Sequence, residues 1–286
     1  MGLSPEPVLI AAAHLPEEAR MSRVRPDFSV LIVSYNSREA VDALISDVER
    51  LAPQAAVIVV DNGSQDGTPT HVASRFPRVA ILANRENAGY ASAINQGLRC
   101  CMTEFIFLLN PDIRLPDPAF FRLLLSAARS SERVAAVGPL QYQSRPGGLH
   151  LNLTWSYWSA AGMRLFLDRR LGRPALPESS LRVPFLNAGC LLLRRSALFE
   201  IGLLNERYFL YGEEPDLCLK LRLLGYECRL EPRAWVVHER ESSLSTWSRG
   251  ARLGMKLRGL VNIADALLRG WGRLARASVR KERSAA

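Results

Sequence analysis

Three carboxylates, Glu213, Glu214 and Asp216, crowd one short stretch, Tyr208-Phe-Leu-Tyr-Gly-Glu-Glu-Pro-Asp-Leu-Cys218. The pattern predicts a helix that starts beside them. Pro215 suits its first position, Leu217, Leu221 and Leu224 recur at helical spacing, and Gly225 supplies the stop. Acids at a helix N-terminus complement the macrodipole and need no other role. Read with earlier segments of the chain, they also look like the acid end of a reactive site.

Three other segments carry chemistry-bearing side chains. Asp61-Asn-Gly-Ser-Gln-Asp-Gly67 sets a carboxylate at the end of an apolar run, followed by two glycines. An Asp there can accept hydrogen bonds from a base or ribose, although Asn-Gly and Asp-Gly also mark ordinary turns. Asn110-Pro-Asp112 follows the most apolar run of the chain. A carboxylate at such a tip can hold Mg²⁺ or Mn²⁺ against a diphosphate, or simply make a turn. His238 follows Trp235-Val-Val237. It can bond a backbone group, or complete a cation site in which imidazole suits Mn²⁺ better than Mg²⁺.

The elements that must position these groups alternate between strand and helix. Phe28–Val33, Val57–Val60, Val79–Leu82 and Phe105–Leu109 are short apolar runs rich in β-branched and aromatic residues. Between them, apolar residues recur at helical spacing, as in Val41, Leu44, Ile45, Val48 and Leu51, with Asn36 or Ser37 available as the cap. Strands apolar throughout and separated by amphipathic helices predict an α/β fold with a mostly parallel sheet covered on both faces. Ligands of such sheets bind beyond the carboxyl ends of the strands. Ser34-Tyr-Asn36, Asp61–Ser64, Asn84–Gly89 and Asn110-Pro-Asp112 all fall at those ends. Residues 140–183 read as less regular, with an aromatic cluster at Trp155, Tyr157 and Trp158 that suits either a core or a lid.

With 286 residues and 48% hydrophobic content, the chain can bury one large core with appendages. No run reaches the roughly 18–20 apolar residues of a membrane span. Residues 1–26 read as a flexible leader without a convincing signal peptide, and Met21 is a second candidate translation start. The five cysteines lack metal spacing and fit a reduced cytosolic compartment.

Taken in order, the motifs resemble the inverting family 2 glycosyltransferases with the A-type nucleotide-sugar fold. The matching segments are Val33-Ser-Tyr-Asn36, Val59-Val-Asp-Asn-Gly-Ser-Gln-Asp-Gly-Thr68, Asn87-Ala-Gly-Tyr-Ala-Ser-Ala-Ile-Asn95-Gln-Gly97 and Phe107-Leu-Leu-Asn-Pro-Asp112. Asn187-Ala-Gly-Cys190, Tyr211-Gly-Glu-Glu-Pro-Asp-Leu-Cys218 and His238 complete the set. The resemblance spans Phe28 to Ser245, and its subgroup is rich in rhamnosyltransferases of cell-surface polysaccharide synthesis. It implies a catalytic domain over 27–246 that takes a dTDP- or UDP-sugar, with dTDP-rhamnose the best guess, and a glycan or polyprenyl-diphosphate-linked acceptor. Asp61 would contact the nucleobase or ribose, walled by Ser34, Tyr35 and Asn36. Asn87, Gly89, Asn95, Asn110 and Gly189 would shape the nucleotide-sugar pocket. Asp112 and His238 would hold Mn²⁺ or Mg²⁺. Glu214 would be the base, supported by Glu213 and Asp216, with Asp216 as the fallback. Two departures from the family pattern stand out: Asn110 where the first acid of Asp-x-Asp is common, and Glu214 where Asp is usual. The rival readings are a non-catalytic nucleotide-sugar or glycan-binding module and, last, a nucleotidyltransferase, for which the first strand lacks a basic Gly-rich loop.

Charge is concentrated in residues 247–286. From Trp247 onward ten basic residues face two acidic ones, a net +8 of the chain's +9. A nucleic-acid binder spreads basic residues over its reading surface, so nucleic acid is not an expected partner. Leu253, Leu257, Leu260, Ala264, Leu267, Leu268, Trp271 and Leu274 share one helical face, with arginines largely opposite. Such a helix suits the plane of an anionic membrane, here the cytoplasmic face of the cell membrane, where an acceptor lipid would be presented. The other reading packs it on the catalytic domain or at a homodimer interface. Deleting the chain after Ser248 should release the protein from anionic vesicles in a flotation assay; unchanged binding would sink the membrane reading.

Overall fold

The computed structural model describes residues 8–11, 26–145, 148–151, 179–239, 254 and 261. The basic tail, the aromatic cluster at 155–158 and most of the 1–26 segment lie outside the described residues.

The first half follows the apolar runs closely. Strands β2 (Phe28–Ser34), β3 (Ala56–Asp61), β4 (Ala80–Ala83) and β5 (Phe105–Leu109) pair in parallel in the spatial order β4-β3-β2-β5. Every residue of β2 and β5 is buried, which explains why these runs lack polar alternation. Helices α1 (Arg38–Leu51), α2 (Thr68–Arg75) and α4 (Phe120–Arg129) pack on one face, and α3 (Tyr90–Cys100) on the other. Within the expected leader, Val8–Ala11 form edge strand β1, antiparallel to β4.

The second half widens this sheet. Strands β6 (Ile113–Arg114), β7 (Val134–Arg145), β10 (Cys190–Arg194) and β11 (Glu227–His238) extend it past β5 in the order β10-β7-β11-β6. β8 (Gly148–Leu151) pairs with β7, and β9 (Leu181–Val183) with β11. β10 runs antiparallel to both its neighbours, whereas β7 and β11 are parallel to each other. The region read as irregular thus contains the end of β7 and all of β8 and β9. Gly138 and Pro139 interrupt the apolar pattern of β7, and its buried Gln141 and Gln143 belie a core strand. Helices α5 (Arg195–Glu200) and α6 (Glu213–Leu223) join α3 on the second face.

The order β4-β3-β2-β5 reverses beside β2, so the chain leaves β2 and β5 in opposite directions. Such a reversal opens a crevice at the carboxyl ends of the strands. The first core is anchored by Phe28, Phe107, Phe120 and Phe121, with ring centroids 4.8–5.8 Å apart along their contacts. Phe107 touches the other three and is fully buried. Phe107→Ala should therefore cost about 3–5 kcal/mol in denaturant unfolding.

Candidate active site

The strand-end loops are stitched to one another by side chains. Asp61 is buried at the tip of β3, and its Oδ1 accepts from Ser34 Oγ at 2.9 Å and Ser64 Oγ at 2.6 Å. Its Oδ2 accepts from the Ser64 N–H at 2.9 Å. Asn36, with φ +47°, donates its N–H to Ser64 Oγ and accepts from the Gln65 N–H. Neither expected cap serves α1: Ser37 stands at the cap without a side-chain bond. Asp66 takes that part instead, accepting from the Arg38 N–H at 3.1 Å and from the Thr68 N–H at 3.0 Å. Although its partial burial opposes ionisation, bonds from Thr68 and Arg38 hold Asp66 below the usual aspartate range. One carboxylate thereby serves two helix N-termini.

Asn62 is the hub of the adjoining loops. Its Nδ2 donates to Asn87 Oδ1 at 2.9 Å and to the Gly89 carbonyl at 3.3 Å. Its Oδ1 accepts from Asn84 Nδ2 and the Ala88 N–H, both at 3.0 Å. Gly89 adopts φ +87°, and a Cβ there would stand 2.9 Å from the Phe209 ring. The Tyr90 N–H donates to the Phe209 carbonyl at 2.7 Å, so the loop before α6 rests directly on the start of α3.

Tyr211 (φ +69°) and Gly212 (φ +106°), both left-handed, turn the chain into α6. The helix begins at Glu213, so Pro215 is its third residue, and Leu224 lies past its end and is exposed. Glu213 is buried, with Oε2 lacking a hydrogen-bond partner among the described residues. Glu214 is only partly exposed, with the backbone N–H groups of Glu214, Ala188 and Gly212 directed at its carboxylate. Tyr90 joins this acid end to the strand tips. Its phenol donates to Asn110 Oδ1, and burial, then the charges of Glu213, Glu214 and Asp112, hold it well above the usual tyrosine range.

Asp112 and His238 meet because β6 pairs with β11. The register sets Ile113 opposite His238, and the Glu239 N–H donates to the Asp112 carbonyl at 2.9 Å. His238 Nε2 then lies 3.1 Å from Asp112 Oδ1. Gly189 closes the group, accepting the Asn110 N–H at 2.9 Å. The described residues contain no group of three or more His, Cys, Asp or Glu able to hold a metal. The Asp112–His238 pair nonetheless suits one divalent cation whose other positions go to substrate oxygens and water.

Two expected site residues are placed elsewhere. Asn95 is buried, donating to the Leu204 carbonyl and Glu206 Oε1 and accepting the Leu204 N–H, so it pins α3 to the 203–206 loop instead of lining the pocket. Asp216 is buried and paired with Lys220 at 3.2 Å, although that contact lacks hydrogen-bond alignment. Lys220 in turn donates to the Leu203 carbonyl, so Asp216 braces α6 through its pairing with Lys220.

Residues 29–202 match the family described as "Glycosyl transferase family 2". The chain belongs to that family. The enzyme is 29% identical over 244 residues to N-acetylglucosaminyl-diphospho-decaprenol L-rhamnosyltransferase of Mycobacterium tuberculosis, covering 75% of this chain and 76% of the relative. It is 28% identical over 227 residues to the pre-mycofactocin glycosyltransferase of the same species, covering 77% of this chain but 44% of that protein. Among solved structures, the mannosyltransferase PcManGT from Pyrobaculum calidifontis, in complex with GDP-Man and Mn²⁺, superimposes with a TM-score of 0.62 at 19% identity. That match covers 86% of this chain and 65% of the neighbour. Glucosyl-3-phosphoglycerate synthase of Mycobacterium tuberculosis, with Mn²⁺, UDP and glucosyl-3-phosphoglycerate, gives 0.55 at 19% identity over 91% of this chain and 84% of the neighbour. This glycosyltransferase therefore has the A-type fold, with its central sheet flanked by helices.

Sequence reasoning passed over Asn62, Asp66, Tyr90 and Gln141 as individual site residues. The first three lie inside the quoted motifs, so position was signalled there though role was not. In the glycosyltransferase the two neighbouring glutamates are both displaced upward: Glu213 well above its usual range by burial and by the Glu214 charge, Glu214 by burial against its N–H partners. For Glu213 the folded state binds more protons than the unfolded one above the ordinary glutamate pKa, so stability falls as pH rises through that window. Glu213→Gln should accordingly melt above the wild type at pH 8, with the difference shrinking toward pH 5, in paired thermal scans.

Proposed function

We propose that the enzyme is an inverting glycosyltransferase that moves a sugar, L-rhamnose from dTDP-rhamnose in the first instance and otherwise the sugar of a UDP-sugar, to a hydroxyl of a glycan or polyprenyl-diphosphate-linked acceptor. One observation carries this reading. The buried Tyr90 phenol donates to Asn110 Oδ1 while the charges of Glu213, Glu214 and Asp112 all act on it, which sets an acid end against a diphosphate end within one crevice. The choice of sugar and acceptor leans on the 29% identical rhamnosyltransferase, whose name gives a decaprenol-diphosphate acceptor. Cell-surface polysaccharide synthesis and a place at the cytoplasmic face of the membrane follow from such an acceptor. No helix among the described residues is long and apolar enough to cross a membrane.

In this reading the loops after β2, β3 and β4 hold the nucleoside. Asp61 keeps Ser34 and Ser64 in place around it, with Tyr35 and Asn36 beside the base. Asn62 fixes Asn87 and Gly89 along the diphosphate. Asp112 and His238 would hold Mn²⁺ or Mg²⁺, which when bound offsets charge on the departing diphosphate. Glu214 removes the proton from the acceptor hydroxyl as that oxygen attacks the anomeric carbon from the face opposite the nucleotide. Glu213, kept neutral by burial and by Glu214, leaves a single negative charge at the base.

A panel of nucleotide sugars, with and without a polyprenyl-diphosphate glycan fraction, tests this by release of nucleoside diphosphate. Acceptor- and cation-dependent release from one donor is expected, with Glu214→Gln losing turnover by at least about a hundredfold while still binding nucleotide. Because burial raises Glu214 above 4.5, the acid limb of kcat/KM should lie above that of an ordinary glutamate, activity falling as pH drops through it. Saturable nucleotide binding without transfer from any donor, given a competent acceptor, would instead support a non-catalytic nucleotide-sugar-binding module.

A further inference from the structure

Two buried polar atoms that the proposed transfer leaves unused face one small gap. Gln141 on β7 donates its Nε2 to the Asn187 carbonyl at 3.2 Å, while its Oε1 has no hydrogen-bond partner among the described residues. His238 is in the same condition: Nε2 lies against Asp112, and the buried Nδ1 has no partner. Gly189 lies between them. A Cβ there would stand 3.2 Å from Gln141 Oε1, 3.2 Å from His238 Cε1 and 3.4 Å from Asn187 Oδ1. The ring carbon Cε1 is bonded to both imidazole nitrogens, so the gap reaches the unpaired edge of the ring.

Leaving a buried polar atom unpaired costs on the order of 1–3 kcal/mol, and here a nitrogen able to donate faces an oxygen able only to accept. A neutral imidazole carries one N–H. Placing it on Nδ1 leaves the Nε2 lone pair beside Asp112, which is the tautomer a cation requires. Histidines that ligate metals almost always give their other N–H to a carbonyl or carboxylate. An amide oxygen suits this task because it accepts the bond without adding a charge. The β7–β11 register places both side chains on one face of adjacent parallel strands, diagonal to one another, since Gln141 lies opposite Val236 and Gln143 opposite His238.

We propose that Gln141 is a positioning residue of the cation site: its Oε1 accepts the Nδ1–H of His238, directly or through one water in the Gly189 gap, and fixes Nε2 as the ligand. This rests on the reading of Asp112 and His238 as the cation pair. Gly189 is then required because any side chain would fill the gap.

The test is Mn²⁺ binding to the full chain, followed by the electron paramagnetic resonance of free Mn²⁺ with dTDP or UDP present. Gln141→Leu should weaken Mn²⁺ at least about tenfold, and Gly189→Ala, which keeps the glutamine but blocks the gap, should do the same. Gln141→Glu, which keeps an acceptor but gives up the donor to the Asn187 carbonyl, should bind Mn²⁺ more tightly than Gln141→Leu. With Mg²⁺, ¹⁵N shifts of the His238 ring should show a single Nδ1–H tautomer in the wild type and a mixture in Gln141→Leu. Wild-type affinity in both Gln141→Leu and Gly189→Ala would overturn the proposal, and if the leucine variant does not fold, Gly189→Ala and the ring shifts decide it. No Mn²⁺ binding by the wild type, or none lost in Asp112→Asn, would instead overturn the cation reading beneath it.

Discussion

The site depends on the seating of β10, antiparallel, between β5 and β7. Cys190 pairs with Leu109 in register, so the Asn187-Ala-Gly turn that leads into β10 arrives beside Asn110 at the tip of β5. From that turn the Gly189 carbonyl takes the Asn110 N–H, the Ala188 N–H reaches Glu214, and the Asn187 carbonyl takes the Gln141 amide. A slip of one residue would reverse every side chain of β10 and move the turn out of the crevice. The fully apolar Cys190–Leu193 run, buried on both faces, makes such a slip costly. Packing in the core thus sets the geometry of polar groups outside it.

The crevice itself is held by polar groups that bond mainly to one another. The Asn62 side chain makes four hydrogen bonds to the one loop between β4 and α3, and Asp61 and Asp66 each accept three. Satisfied networks of this kind fix loops that have few apolar contacts of their own. They also leave the nucleoside-facing edge preformed, which lowers the ordering cost of binding. The acid end is built on the opposite principle. Glu213 is buried beside Glu214 with one oxygen that has no hydrogen-bond partner among the described residues, an arrangement that lowers stability. Strain of this kind is common where chemistry is done.

Much of this was legible in the chain. The apolar runs at 28–33, 57–60, 79–82 and 105–109 announced parallel strands because each is covered on both faces, and polar residues at their ends announced the crevice. The acid-rich start of α6 was equally plain from Glu213, Glu214 and Asp216. Strand β7 was not, because Gly138-Pro139 and two buried glutamines break its apolar pattern. β10 hid in a leucine run whose paired residues lie 81–89 positions before it on β5 and 55–57 before it on β7. The role of Asn95 was misjudged for a related reason: an asparagine in a motif looks the same whether it faces a ligand or a loop 109 residues away.

By itself the sequence determined which elements form and which residue types stand at their ends, since hydrophobic period, glycine turns and acid placement are local properties. It could not decide which of those ends meet. That Asp112 touches His238, that Tyr90 bonds Asn110, and that Gln141 shares a sheet face with a histidine on the next strand follow from sheet order and register. Those are set by the burial of distant apolar surfaces against one another, a property of the whole core that no local pattern encodes.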